Sequence, residues 1–370
     1  MKIKVKFLLT LLLCFIVSIG NANNYKYSKK RTIKANFEMS EDYTLYVYGK
    51  FSNYNIQTWG EDNISFHIEI ITRSDKEENA MNLLHHIDVE FDNSQTNKSV
   101  SAKTVIPKKI KNANFQIDYY IMIPENIFVD IKNLYGDVNI DKLNRYFTMD
   151  LDFGNFSLDS LFSTANIDVK YGNTKIKYVH DLKGNVGFGD VRINSGNNVD
   201  IILKYGNGKI GEMKTMTAHC EFSDLSCTSI DSAYINVQYT DTYLENVKEV
   251  TIDDSFSEVE IEHLLKKINF TSKYGDIEIN NVDKDFKYIG ISSQFSDVDI
   301  VLDKSYKFSY QLSASFGDIN NEILKDNAKQ YVKENSETTL MGIHNEGTDL
   351  PMIKADVHHG DLNIKFIKVK

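Results

Sequence analysis

Residues 167–193 read IDVKYGNTKIKYVHDLKGNVGFGDVRI, and two corners stand out: Tyr171-Gly172-Asn173 and, one repeat further on, Phe188-Gly189-Asp190. The same word, an aromatic then a small residue then an acid or amide, recurs eleven times from Tyr135-Gly136-Asp137 to Phe316-Gly317-Asp318. The step is about 17–18 residues and widens to about 21 at the end, and a fixed period of this length is the mark of a solenoid.

With the aromatic at position zero, apolar residues sit four and two positions before it, as at Ile167 and Val169 or Ile201 and Leu203. They return three and five positions after it, as at Val191 and Ile193 or Val259 and Ile261. One more lies at plus eight (Leu143, Leu161, Val179, Met213, Ile230, Val247, Leu264, Val282). Alternation at period two predicts strands with one buried face. The small residue and its acid shift the parity between the two runs, which marks a corner. Gly is expected there for positive φ, and Asp or Asn for bonding its own nearby backbone. Each repeat therefore reads strand, corner, strand, turn, and neighbours must stack to cover the apolar face. The fold class is all-β: a parallel β-solenoid built from units of about 17–18 residues, with a small α+β N-terminal cap.

Tyr and Phe alternate at position zero, and Lys precedes Tyr at Lys170, Lys204 and Lys273. Two geometries fit. A coil of two units, about 35 residues, gives separate Tyr and Phe ladders. A coil of one unit mixes them in one stack and sets Lys170 beside Asp152. Like side chains packing on like favours the two-unit coil.

Lys2, Lys4 and Lys6, the apolar run Phe7 to Ile19 and the small-residue site Gly20-Asn21-Ala22 read as a secretory signal over 1–22. The run is short for a membrane span, and Cys14 lacks the small residues of a lipoprotein site. No later segment is long and apolar enough to span, so the mature chain has no transmembrane segment. Removing the three lysines takes the net charge from −10 to −13. That balance, with guanidinium groups only at Arg31, Arg73, Arg145 and Arg192, argues against a nucleic-acid partner. Cys220 and Cys227 occupy core columns and read as small buried hydrophobes; a disulfide across the corner is the alternative an exported protein permits.

Residues 23–130 read as a β-rich cap. Residues 23–43 suggest a leader strand, Phe51-Ser52-Asn53 a first rung, and Trp59 a residue sealing the cap core. Ile64, Phe66, Ile68 and Ile70 mark another strand. Ser74-Asp75-Lys76-Glu77 reads as a capping box before a short helix carrying Ala80, Leu83, Leu84 and Ile87. Residues 131–370 form the solenoid domain, with an irregular insertion near 324–354. The pattern returns once at His359-Gly360-Asp361, so the chain ends on a rung.

The column of acids and amides at plus two, from Asp137 to Asp361, could ligate Ca²⁺, but a corner-forming role explains it without a metal. His85-His86 and His358-His359 are adjacent pairs whose members diverge, and His359 reads as packed in the aromatic column. The outward plus-four column is basic at Lys175, Arg192 and Lys209, then acidic at Glu260, Glu278 and Asp299. Drift on a solvated face explains this gradient, and a partner surface is the sharper reading. No nucleophile elbow, phosphate loop or zinc motif is present. We therefore assign no catalytic, cofactor-binding or metal-ligating residue.

The signal segment, Ile56-Gln57-Thr58-Trp59, the strand from Tyr119 to Pro124 and the serial Tyr-Gly-Asp-Val and Phe-Gly-Asp-Val corners together resemble a family of exported bacterial proteins named "putative adhesins". The related head domain of auto-transporter adhesins is similar too. The resemblance spans nearly the whole mature chain. It implies a right-handed β-helix in the periplasm or on the surface of a Gram-negative bacterium of the Bacteroidetes type. It implies no established activity, cofactor or functional residue. The expected function is a non-enzymatic envelope scaffold that binds glycan or protein along a flat face. A periplasmic structural or regulatory partner protein is the alternative, and a polysaccharide-active enzyme a second one.

Overall fold

The computed structural model describes residues 25–39 and 42–368, so the secretory signal expected over 1–22 lies outside the described residues. One repeat makes one coil. The strand Phe156–Lys170 lies parallel to Thr174–Gly187, which lies parallel to Val191–Lys204, and each residue pairs with its counterpart one repeat on, as Phe156 with Thr174 and Thr174 with Val191. The preference for a two-unit coil is thereby corrected: Asp152 pairs with Lys170, and Tyr and Phe share a single stack. Flat rings of similar size pack equally well whether or not they carry a hydroxyl, so no separation of the two types is needed.

Each coil has two legs that face each other across the core. The leg before the corner buries its minus-four and minus-two residues, such as Ile167 and Val169. The leg after it buries plus three, plus five and plus eight, such as Val191, Ile193 and Val179 of the coil before. All belong to one continuous apolar cluster.

The corner works differently from the expectation drawn from glycine. The aromatic residue itself takes the left-handed conformation, with φ between 51° and 67° from Phe51 through Phe316. By alternation its ring would point inward, two positions after a buried residue. The left-handed turn swings it outside instead. Bulky L-residues rarely adopt this conformation, which costs about 1–2 kcal/mol each. The glycines are there for close approach. A Cβ on Gly172 would sit 1.7 Å from the carbonyl oxygen of Gly154, and one on Gly189 would sit 2.0 Å from that of Gly172.

Where Ser or Thr replaces Gly, the hydroxyl turns inward and joins the coils. Thr240 N–H donates to Ser257 Oγ (2.9 Å), and Thr240 Oγ1 donates to the Gln238 carbonyl (3.0 Å).

Near each end of the solenoid a coil from elsewhere in the chain is inserted between two others. At the N-terminal end, Thr44–Lys50 and Ser52–Trp59 lie between the coil of Phe128–Leu134 and Val138–Leu143 on one side and Ser99–Val105 and Asn114–Pro124 on the other. At the C-terminal end, Met352–His358 lies between Tyr288–Gln294 and Phe308–Ser315, while Leu362–Ile367 lies between Val298–Asp303 and Ile319–Asn320. The last rung in sequence is therefore the penultimate rung in space.

Antiparallel strands finish each end. Tyr27–Glu38 pairs with Asn63–Ser74, which also pairs with Asn114–Pro124. Ala328–Glu334 and Glu337–His344 form a hairpin laid on Phe308–Ser315.

Helix α1 spans Glu77–His86 and buries Ala80, Leu83 and Leu84 against the N-terminal cap. Its expected capping box does not form. Lys76 is the N-cap residue, and Ser74 Oγ instead accepts the Lys76 N–H and donates to the Asn112 carbonyl. Trp59 is half-buried at a strand end and donates its indole N–H to the Asn63 carbonyl at 2.9 Å, rather than sealing the core. Cys220 and Cys227 are both buried and free, and the disulfide alternative is not realised. Burial pushes the Cys220 thiol up to about 12 and also raises that of Cys227.

The minus-two column is polar yet buried at Asn133, Asp254, Ser272 and Ser293, and of these Asp254 alone is ionisable. Asp254 sits at minus two, where other coils carry Leu151, Val169, Leu203 or Val237, and it is buried. Its Oδ2 accepts the Ser272 hydroxyl at 2.6 Å. Burial raises its pKa, partly offset by the Ser272 and Ser257 hydroxyls. A carboxyl with a raised folded pKa carries no penalty while protonated in both states. Its penalty develops as pH rises through the folded value. Asp254→Val is expected to stabilise the chain at neutral pH, with the gain shrinking toward the ordinary Asp range, which urea melts across pH 4–8 will read. Ser272 keeps a second acceptor in the Gly275 carbonyl (2.9 Å).

Candidate functional site: the aromatic corner

The left-handed corners place thirteen rings in one file. In spatial order they run from Phe51 through Tyr135, Phe153 and the regular coils to Phe295, then His359 and finally Phe316. Neighbouring centroids are 4.6–5.2 Å apart and the planes are within 20° of parallel. Ring spacing thus follows the spacing of stacked strands, about 4.8 Å, and the file is about 58 Å long. Each interior ring touches its neighbours with both faces and shows its edge to solvent, and the Phe and Tyr residues of the file are 39–63% exposed. His359, expected to be packed, is stacked between Phe295 and Phe316 yet exposed.

Stacking offsets the backbone strain at the corners, at about 0.5–1.5 kcal/mol per pair. Tyr205, between Phe188 and Phe222, makes two such contacts. Tyr205→Ala removes both and keeps the strained conformation, whereas Tyr205→Gly removes both and relieves it. We expect the Ala variant to be less stable than the Gly variant by about 1 kcal/mol, the reverse of the usual order within a strand. Equilibrium denaturation of the pair checks it.

Beside the rings runs the acid and amide column. Its oxygens do not bond their own coil's backbone, as the turn reading supposed; they reach the next coil. Asp137 Oδ1 accepts the Asn155 N–H (2.8 Å), Asn173 Oδ1 that of Asp190 (2.9 Å), and Asp276 Oδ1 that of Asp297 (2.7 Å). Asp297 and Asp361 continue the series to Asp318. The column is a side-chain ladder, interrupted between Asn207 and Asp241 and between Glu258 and Asp276, that satisfies corner amides which the strand ladders leave out. Among the described residues no group of His, Cys, Asp and Glu could hold a metal ion. His86 bonds the Asn82 carbonyl in its own helix, and His358 lies 3.6 Å from Asp356.

A cleft lined by Asp42, Asp62, Asn126, Asn144 and Arg145 lies among the N-terminal coils. Its Arg145 is paired with Asp42 at 2.8 Å and lies over the Phe128 ring. Along the post-corner leg, Lys175, Arg192 and Lys209 stack in register, as do Glu260, Glu278 and Asp299. The sequence gradient is thus a real polarisation of one face. No helix among the described residues is long and apolar enough to cross a membrane.

A solenoid with one short coil per repeat, legs facing across an apolar core, and exposed rings at the corner defines the class of protein. Residues 120–365 match the Toastrack DUF4097 family, and the chain belongs to it. No curated protein is similar to the chain. Among solved structures, it is similar to a "putative cell adhesion protein" from Clostridium sporogenes ATCC 15579 (12% identity over 92% of this chain and 100% of that one, TM-score 0.20). It is also similar to a "putative adhesin" from Bacteroides fragilis NCTC 9343 (15% identity, 69% and 97%, TM-score 0.30). A third is a "putative lipid binding protein" from Parabacteroides distasonis ATCC 8503 (14% identity, 76% and 94%, TM-score 0.29). Likeness at these scores carries nothing about what this chain binds.

Proposed function

We propose that this protein is an exported, non-enzymatic scaffold of the bacterial cell envelope that holds an extended partner along its aromatic corner. The observation that carries this is the continuous file of exposed ring edges. A half-exposed aromatic side chain offers roughly 100 Å², so the file presents on the order of 1,000 Å². Monomeric proteins rarely leave more than a few hundred Å² of contiguous apolar surface uncovered. The adjoining column of exposed acids and amides supplies a polar rim. Because ring faces inside the file are occupied, a partner meets edges and not faces. That favours a strand or flat protein surface over a sugar chain stacked ring on ring. The outward columns change identity from coil to coil, which supports a scaffold over an enzyme.

Replacing Phe188, Tyr205 and Phe222 with Asn keeps a residue type that tolerates the left-handed corner and removes the rings. The triple variant is expected to bind isolated envelopes at least tenfold more weakly than the native chain. Equal binding would rule out the aromatic corner as the binding face. Protease shaving of intact cells tests location separately. Loss of the protein without lysis places it outside. Protection until permeabilisation places it in the periplasm and favours the alternative of docking on an envelope protein there.

A further inference from the structure

We infer that the open face of Phe316 is a stacking site for a single pyranose ring of a carbohydrate. Within the file, both faces of each interior ring are taken by neighbours. At the N-terminal end Phe51 is closed by the edge of Phe115, 5.7 Å away and 75° to its plane. Phe316 is the last ring at the other end. One face lies on His359 at 4.6 Å and 7°. No further ring is stacked on the other among the described residues, and Phe316 is 63% exposed against 39–51% for the other Phe and Tyr rings of the file. The edge of Phe115 over Phe51 also blocks a second copy from extending the file head to tail.

The ring is held in place for this role. Its φ of 56° fixes the direction of the side chain, and its N–H donates to the Ser336 carbonyl at 2.8 Å, tying it to the hairpin turn at 334–337. Two polar groups lie in the segments next to it. Asp318, two positions on, lies 3.5 Å from Lys333 of the hairpin, and both side chains are more than half exposed. An apolar ring face, with a carboxylate two residues on in the chain and an ammonium 3.5 Å from that carboxylate, matches the two sides of a pyranose. Its C–H face lies on the ring, while neighbouring hydroxyls donate to Asp318 and accept from Lys333. A platform one ring wide is too small for a strand or helix. The site uses the outer face of the last ring and not the ring edges along the file, so either reading can fail without the other.

The test is saturation-transfer NMR on the full chain with methyl β-D-galactopyranoside, whose C–H groups cluster on one face. Transfer is expected at those protons and should fall at least tenfold in Phe316→Ala. It should persist in Tyr146→Ala, which removes an exposed tyrosine outside the file. Asp318→Asn and Lys333→Ala are expected to weaken it severalfold, and Phe316→Trp to keep or strengthen it. Absence of transfer to the native chain, or undiminished transfer to Phe316→Ala, overturns the proposal. Should Phe316→Ala fail to fold by circular dichroism, the other variants decide. Transfer unchanged in both Asp318→Asn and Lys333→Ala would then overturn it.

Discussion

Gly172→Ala is expected to cost about 3 kcal/mol or more, among the largest effects of a single added methyl group in this chain. The new Cβ would lie 1.7 Å from the Gly154 carbonyl oxygen and 2.6 Å from its carbon, both backbone atoms that cannot turn aside. Relief requires the Phe153 and Tyr171 corners to move apart. Their rings are 4.7 Å apart and Phe156 N–H bonds the Asn173 carbonyl at 2.8 Å, so the movement would break a stack and a ladder bond together. Gly187→Ala is the control. It lies in the same coil region, but a Cβ there would meet nothing within 4 Å, so a change of no more than about 0.5 kcal/mol is expected. Urea denaturation of the two variants side by side reads the difference. Equal stabilities would mean that the glycines serve backbone freedom and not close approach.

Truncation after Pro351 is expected to unravel the C-terminal end of the solenoid while leaving its middle intact. The removed segment buries Ile353, Ala355, Val357, Leu362 and Ile364, each no more than 2% exposed. At about 1.5–3 kcal/mol for each of the four larger side chains, gross burial of roughly 6–12 kcal/mol is lost. The location matters as much as the amount. A solenoid is held by the interfaces between neighbouring coils, and this coil supplies two of them, to Tyr288–Gln294 and to Phe308–Ser315. Limited proteolysis read by mass spectrometry should show cleavage beginning just after Lys287, with the coils from Phe147 to Lys273 protected. A peptide of residues 352–368 added in trans should restore protection by refilling the slot. A truncated chain that resists protease throughout would contradict the intercalated topology.

The repeat made most of this architecture legible. The minus-four, minus-two, plus-three, plus-five and plus-eight columns are buried because period-two alternation in a stacked coil leaves little choice. The plus-eight residues, from Leu143 to Val282, are all at most 4% exposed. The aromatic column was harder. Phe and Tyr in a regular register look like core, and no pattern says that position zero is left-handed. The parity shift between Val169 and Thr174 requires a corner, yet it does not say which residue makes it. Had the aromatic been recognised as the turning residue, its exposure would have followed.

The coil length was hidden for a related reason. Alternation of Tyr and Phe looks like a two-unit period only while the rings are assumed to be sorted by environment. In an exposed stack, a phenol hydroxyl at the ring edge reaches water, so Tyr and Phe are interchangeable. The intercalated ends could not be read at all. His359-Gly360-Asp361 announces a rung, but which two rungs it lies between depends on pairing with strands several repeats back in the chain, as Ala314 with Val357 and Ile300 with Ile364. The stacking platform at Phe316 depends on that order, since sequence alone would make His359 the last ring.

Tyrosine footprinting tests most directly whether the aromatic corner is the binding face. Tyr135, Tyr171, Tyr205, Tyr239 and Tyr274 lie in the file, while Tyr120, Tyr146 and Tyr331 are exposed outside it. All eight should be modified in the purified protein. In native envelopes the five file tyrosines should be protected while the other three stay reactive. Equal modification of both groups in envelopes would contradict a binding role for the corner, because the file would then stand uncovered where the protein works.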